Sequence, residues 1–170
     1  MIQRLKYTLL GYSTLHKFSL LIIVLFTASS CNEAVLYSES HTDFPENRWY
    51  QTNPVAYEFE VTNDQSAYDI TLGFRYVYGA QFKEIPIEVY ITTPQHHIEK
   101  IPVTLYLSDE NGNDLGDCMG DYCDLNTMIK QNYKFDAVGT YKVQILNKFD
   151  YEYLPNVMAM RWEVRNTENR

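Results

Sequence analysis

The sequence predicts an all-β protein: a single-domain antiparallel β-sandwich, jelly-roll-like, behind a removable N-terminal segment. Three observations predict it. Apolar and polar residues alternate with period two through segment after segment, the pattern of strands with one buried face. Turn-forming residues interrupt the alternation at intervals of about 8–15 residues, which gives about seven or eight strands. No amphipathic helix of about ten residues or more is visible, and the alternation argues against a parallel sheet, whose strands are apolar on both faces. The composition is that of an ordinary globular chain: 170 residues, 45% hydrophobic and 21% charged, with 15 Tyr, 8 Phe and 2 Trp.

In chain order the first element is an address. Residues 1–17 carry Arg4, Lys6 and Lys17 and no acid. An apolar run of about eleven residues follows at 18–28, a secretory length and well short of the roughly 20 residues that span a bilayer. Ala28, Ser29 and Ser30 are small, and Cys31 comes next. This order resembles a bacterial lipoprotein signal, with cleavage before Cys31 and acylation of its thiol, although Ala28 stands where the strict motif has Leu. Residues 1–30 are then a signal peptide. The partner of Cys31 is the lipid bilayer: each buried CH₂ of a palmitate-like chain contributes ~0.8 kcal/mol, and two or three chains anchor a protein durably. The remaining ~140 residues carry a formal charge near −11. That charge argues against nucleic-acid binding and against lying flat on anionic lipid.

Residues 31–53 are polar with scattered aromatics. They read as a lipidated tether that joins the body near Phe44 and Trp49, with Asn53-Pro54 as boundary. The sandwich is expected over 54–165. Val55, Tyr57, Phe59 and Val61 share one strand face, with Glu58 and Glu60 on the other. After the turn at 63–66, Tyr68, Ile70, Leu72, Phe74, Tyr76 and Tyr78 line one face of a long strand, opposite Asp69, Thr71, Gly73 and Arg75. Ile85, Ile87, Val89 and Ile91 repeat the pattern, then Ile101, Val103, Leu105 and Leu107. Asn111-Gly112 is a strong turn signal. Residues 125–130 read as a helical turn, and Tyr133 to Phe135 as a short strand. Tyr141, Val143 and Ile145 follow Gly139. The last strand places Met158, Met160, Trp162 and Val164 on one face. The tail 166–170 is expected to fray.

The chemistry-bearing residues are few. Cys118 and Cys123, in Asp117-Cys-Met-Gly-Asp-Tyr-Cys-Asp124, lack the further ligands of a zinc site. In an exported protein they read as a disulfide, with Gly120 permitting the bend. Asp109, Asn111 and Asn113 resemble part of a calcium loop, but Gly120 stands where the bidentate Glu belongs. The preferred reading is a hairpin rich in turn formers and no metal. His96 and His97 sit in a predicted turn. No hydrolase, phosphate-loop or Cys/His nucleophile motif is present, so neither an enzyme nor a cofactor is predicted. Tyr90, Tyr106, Tyr151 and Tyr153 fall on polar faces or loops, where an exposed ring can stack on a sugar or anchor a protein.

Several segments, in their order, resemble the gliding-motility lipoprotein family GldH. They are Phe44-Pro-Glu-Asn-Arg-Trp49, Tyr68-Asp-Ile-Thr-Leu-Gly-Phe-Arg75, Ile85-Pro-Ile-Glu-Val89, Leu105-Tyr-Leu-Ser-Asp-Glu-Asn-Gly112 with Leu115-Gly116, Gly139-Thr-Tyr141 and Leu154-Pro-Asn-Val157. Two places depart from the pattern: Phe82-Lys-Glu-Ile-Pro86, and Phe149-Asp150 where Met-Arg is usual. The resemblance implies a membrane-anchored lipoprotein of the cell envelope, a non-catalytic structural or interaction component of the gliding machinery linked to type IX secretion. Its partners would be other envelope proteins. Arg75 is the matched polar residue that would meet a partner or an internal acid. The alternative is a surface carbohydrate-binding sandwich that uses exposed Tyr and calcium. A single acid, Glu33, follows Cys31 closely, which leans towards the periplasmic face of either the inner or the outer membrane.

Overall fold

The alternations become strands. The computed structural model describes residues 35–167. In chain order the strands are β1 (Val35–His41), β2 (Arg48–Tyr50), β3 (Val55–Val61), β4 (Tyr68–Val77), β5 (Glu84–Thr92), β6 (Ile98–Tyr106), β7 (Asp117–Met119), β8 (Tyr122–Tyr133), β9 (Gly139–Asn147), β10 (Tyr153–Pro155) and β11 (Val157–Asn166). Every pairing is antiparallel. One sheet has the order β1-β11-β4-β8-β7, the other β3-β9-β5-β6, and β10 pairs separately with β2. The two large sheets pack face to face as an antiparallel β-sandwich.

Period two decides which face of each sheet is inside. Burial alternates strictly along β3, and the inward set of β5 is Ile85, Ile87, Val89 and Ile91. From the facing sheet come Ile70, Leu72, Phe74, Tyr76, Met160, Trp162 and Val164. Burying each such side chain contributes roughly 2–3 kcal/mol. The Tyr57 ring stacks on Trp162 with centroids 6.3 Å apart, and its hydroxyl donates to the Met160 carbonyl at 2.8 Å. The two sheets are thereby joined by a bond as well as by packing. Phe135 closes the core edge-on against Phe59 and Tyr141.

Five expectations need correction. Residues 35–53 do not form the expected tether: Val35–His41 is β1, which pairs with β11 and covers that strand's edge, while residues 31–34 lie outside the described residues. Trp49 of β2 is then buried, with its Nε1 donating to the Asn53 carbonyl. Residues 125–130 lie within β8 and are not helical. Leu125, Met128 and Ile129 carry helical spacing, yet pairing along nearly all of β4 overrides it. Two register shifts in that pairing absorb the irregular pattern. A bulge between Val157 and Ala159 turns Val157 inward and leaves Met158 half-buried. At the tail, Asn166 belongs to β11, and the Thr167 amide and hydroxyl both donate to the Ala67 carbonyl. Tyr78 lies just beyond β4 and is exposed.

The connections fall at two opposite ends of the sandwich. Val35 pairs with Arg165, Arg165 with Asp69, and Tyr68 with Tyr133, so the start of β1 shares an end with the β3–β4, β5–β6 and β8–β9 connections. The other end gathers the β4–β5 and β9–β10 connections, the β2–β10 ladder and the disulfide hairpin. Strands of nine or ten residues separate the two ends by about 30 Å.

Candidate functional site

An open cleft of about 590 Å³ lies at the end remote from Val35. Its aromatic wall comes from the β4–β5 and β9–β10 connections. Phe82 and Phe149 meet at 5.1 Å between centroids, tilted by 57°, and Phe149 meets Tyr151 at 5.5 Å. Tyr151 is 71% exposed. Tyr153 lies against Tyr50 at 5.4 Å, and the Arg48 guanidinium sits 4.8 Å from the Tyr153 ring centre. Gly79, at φ 84°, gives the β4–β5 connection a turn that a side chain would resist.

Two polar side chains set this wall. Asn147 is buried at the end of β9; its Nδ2 donates to the Trp49 carbonyl and its Oδ1 accepts from the Phe149 amide, both at 2.8 Å. Gln51 donates through Nε2 to the carbonyls of Phe149 and Tyr151, and its own amide donates to the Glu152 carbonyl at 3.0 Å. The Asn156 carbonyl accepts from the Val77 amide. Loop backbone and aromatic rings are therefore held before any ligand arrives. The polar lining is Gln81, Glu152 and Asn156, so one carboxylate is the only charge among the described lining residues.

The residues singled out from sequence lie elsewhere. Arg75 makes a two-pronged pair with Asp124 across β4 and β8, with Nε–Oδ1 at 2.7 Å and Nη2–Oδ2 at 2.8 Å. Its guanidinium also lies 4.7 Å from the Tyr122 ring centre. The hydrogen bond from Arg75 holds the Asp124 carboxyl below the usual carboxylate range. Cys118 and Cys123 are paired opposite each other in the β7–β8 hairpin and joined by a disulfide. Asp109 accepts from the amides of Asn111 and Asn113 and from Asn113 Nδ2, each at 2.8 Å. Those bonds lower its pKa, the Asn113 side chain being the largest cause, and they use the carboxylate to close a turn. His96 and His97 occupy the turn between β5 and β6. Cys31 lies outside the described residues.

Sequence reading placed Tyr151 and Tyr153 on polar faces or loops; Tyr151 is exposed, Tyr153 is half-buried in β10 against Tyr50, and the cleft itself was missed. Phe82 and Phe149 stood out only as departures from the family pattern, about 67 positions apart. Gln51 and Asn147 carried no signal, because a buried amide is recognised only by its partners.

A family model described as GldH lipoprotein matches residues 36–160. A curated relative, the "Gliding motility lipoprotein GldH homolog" of Christiangramia forsetii, is 27% identical over 123 residues, covering 72% of this chain and 73% of the relative. Among solved structures, the infectious bursal disease virus VP2 subviral particle aligns at 11% identity and TM-score 0.36, over 76% of this chain and 32% of that one. The Gx strain of the same virus aligns at 12% and TM-score 0.29, over 30% of its chain. This chain thus spans about a third of the viral chains.

Proposed function

The chain belongs to the GldH lipoprotein family, and on that premise we propose that it is a cell-envelope component of the gliding motility machinery. The reading is supported by the family match, which runs from β1 into β11 and so covers nearly the whole sandwich. Acylation of Cys31 would attach it to a membrane, and the single early acid Glu33 favours a periplasmic face. The role is structural or that of an interaction subunit, in the apparatus linked to type IX secretion.

A non-catalytic role fits how the charged groups are used. Glu58 pairs with Lys142, Glu88 with Lys100 and Lys148, Glu99 with Lys130, and Arg75 with Asp124. Glu58–Lys142, Glu88–Lys100 and Arg75–Asp124 are cross-strand pairs within a sheet, Glu88–Lys148 ties a loop to β5, and Glu99–Lys130 bridges β6 and β8 of the two facing sheets. Arg75 is accordingly a structural residue first. A partner would meet its outer edge without breaking the pair.

A clean deletion strain tests the proposal. The expected result is loss of colony spreading together with loss of secreted proteins from the culture supernatant. Normal spreading and normal secretion would overturn it. Cys31→Ser is expected to shift the protein from the membrane pellet to the soluble fraction.

A further inference from the structure

We propose that the aromatic cleft at the end remote from Val35 is a glycan-binding site for a neutral oligosaccharide. Three observations select that ligand. The rings of Phe82, Phe149 and Tyr151 line the cleft, Tyr151 being the exposed one, and aromatic rings pack against the C–H faces of pyranose rings. Gln81, Glu152 and Asn156 supply two amides and one carboxylate beside them, donors and acceptors suited to hydroxyl groups. Glu152 is the only charge among the described lining residues, and the Arg48 guanidinium over the Tyr153 ring is already paired with Glu46, so an anionic sugar or a phosphate is disfavoured.

The backbone argues against the main competitor, an extended peptide. Strand addition needs free main-chain donors and acceptors along the groove. Here the carbonyls of Phe149, Tyr151, Glu152 and Asn156 already accept from Gln51 and Val77. Pro155 has no amide hydrogen to give. Recognition therefore falls to side chains, carried by a backbone that Asn147 and Gln51 hold at Phe149 and Tyr151. The site does not include the Asp109 turn. Its presentation rests on the lipoprotein reading: with Cys31 acylated, the cleft opens at the end away from the bilayer. Binding in solution is independent of that reading.

The mature lipoprotein in detergent is screened on an array of neutral oligosaccharides of glucose, galactose, mannose and N-acetylglucosamine. The strongest hit is then titrated by calorimetry with a chelator present. We expect saturable binding that Tyr151→Ala weakens about tenfold, the scale of one stacked ring, and that Tyr151→Phe retains. Tyr151 is exposed, so the melting temperature of Tyr151→Ala should match wild type and separate lost binding from lost folding. Binding unchanged in Tyr151→Ala, or no saccharide bound at about millimolar concentration, would overturn the proposal. So would retention of a proline-rich peptide in place of any sugar. Failure here leaves the deletion-strain result untouched, and the converse holds.

Discussion

Gly116 has no room for a side chain: an added Cβ would lie 3.0 Å from Tyr76 Oη and 3.2 Å from Cys123 Cβ. Both neighbours are core groups, so neither gives easily. Gly116→Ala should cost about 1–3 kcal/mol, the range for overpacking, read as a lowered urea midpoint with unchanged slope. Asn147 is tied at both ends of its side-chain amide. Asn147→Ala removes a donor and an acceptor together and leaves the Trp49 carbonyl and the Phe149 amide unmet. A loss of about 3 kcal/mol is expected in denaturant titration, with the 149–152 loop becoming sensitive to protease. Sequence made Gly116 visible as part of a turn motif but not the Tyr76 hydroxyl above it. Asn147 was invisible because it reads as the polar end of a strand, and its role depends on Trp49, 98 positions away.

At the scale of elements, the strands whose alternation was regular were legible: β3, β4, β5, β9 and most of β11. Each carries apolar residues at every second position, and tertiary packing had nothing to override. β1 was missed because the half-buried Leu36 and Tyr37 that meet the core are neighbours in sequence, brought there by a register shift between Val35 and Tyr37, so no alternation is visible. β8 was misread because apolar spacing of three and four imitates a helix. On the four-stranded sheet, β5 is fastened through Glu88. The hydrogen bond from Lys100, with those from Tyr90 and Lys148, depresses the Glu88 pKa from 4.5 to about 2. A depressed carboxylate stabilises the fold above its unfolded pKa and loses that contribution as pH falls through the folded value. Wild type should therefore lose more stability than Glu88→Gln as pH drops from about 4.5 to about 2. Parallel acid-melting curves, followed by circular dichroism, check it; coincident curves would contradict it.

For the whole molecule, the boundary of the folded body is the main revision. The sandwich begins at Val35, not at Pro54, because β1 completes the β11 edge and β2 completes the cleft end. A chain shortened to residues 54–170 should fail to reach the wild-type melting temperature and should associate through the bared β11 edge. Thermal denaturation and sedimentation would show both effects, and a monomer of wild-type stability would refute the boundary. Cys31 precedes Val35 by only four positions, a span of at most roughly 14 Å. An acylated chain would accordingly hold its body close to the lipid instead of standing it off on a long leash.

That short connection also determines how the fold would bear mechanical load. If the lipid is held while a partner pulls at the cleft end, tension enters at Val35 and runs parallel to β1. The β1–β11 hydrogen bonds lie across that direction, from the Val35–Arg165 pair to the His41–Met160 pair. They would be strained in shear, all at once, and not peeled open one by one. A strand that closes a sheet edge would thus also serve as the coupling through which a force on the membrane anchor reaches the body.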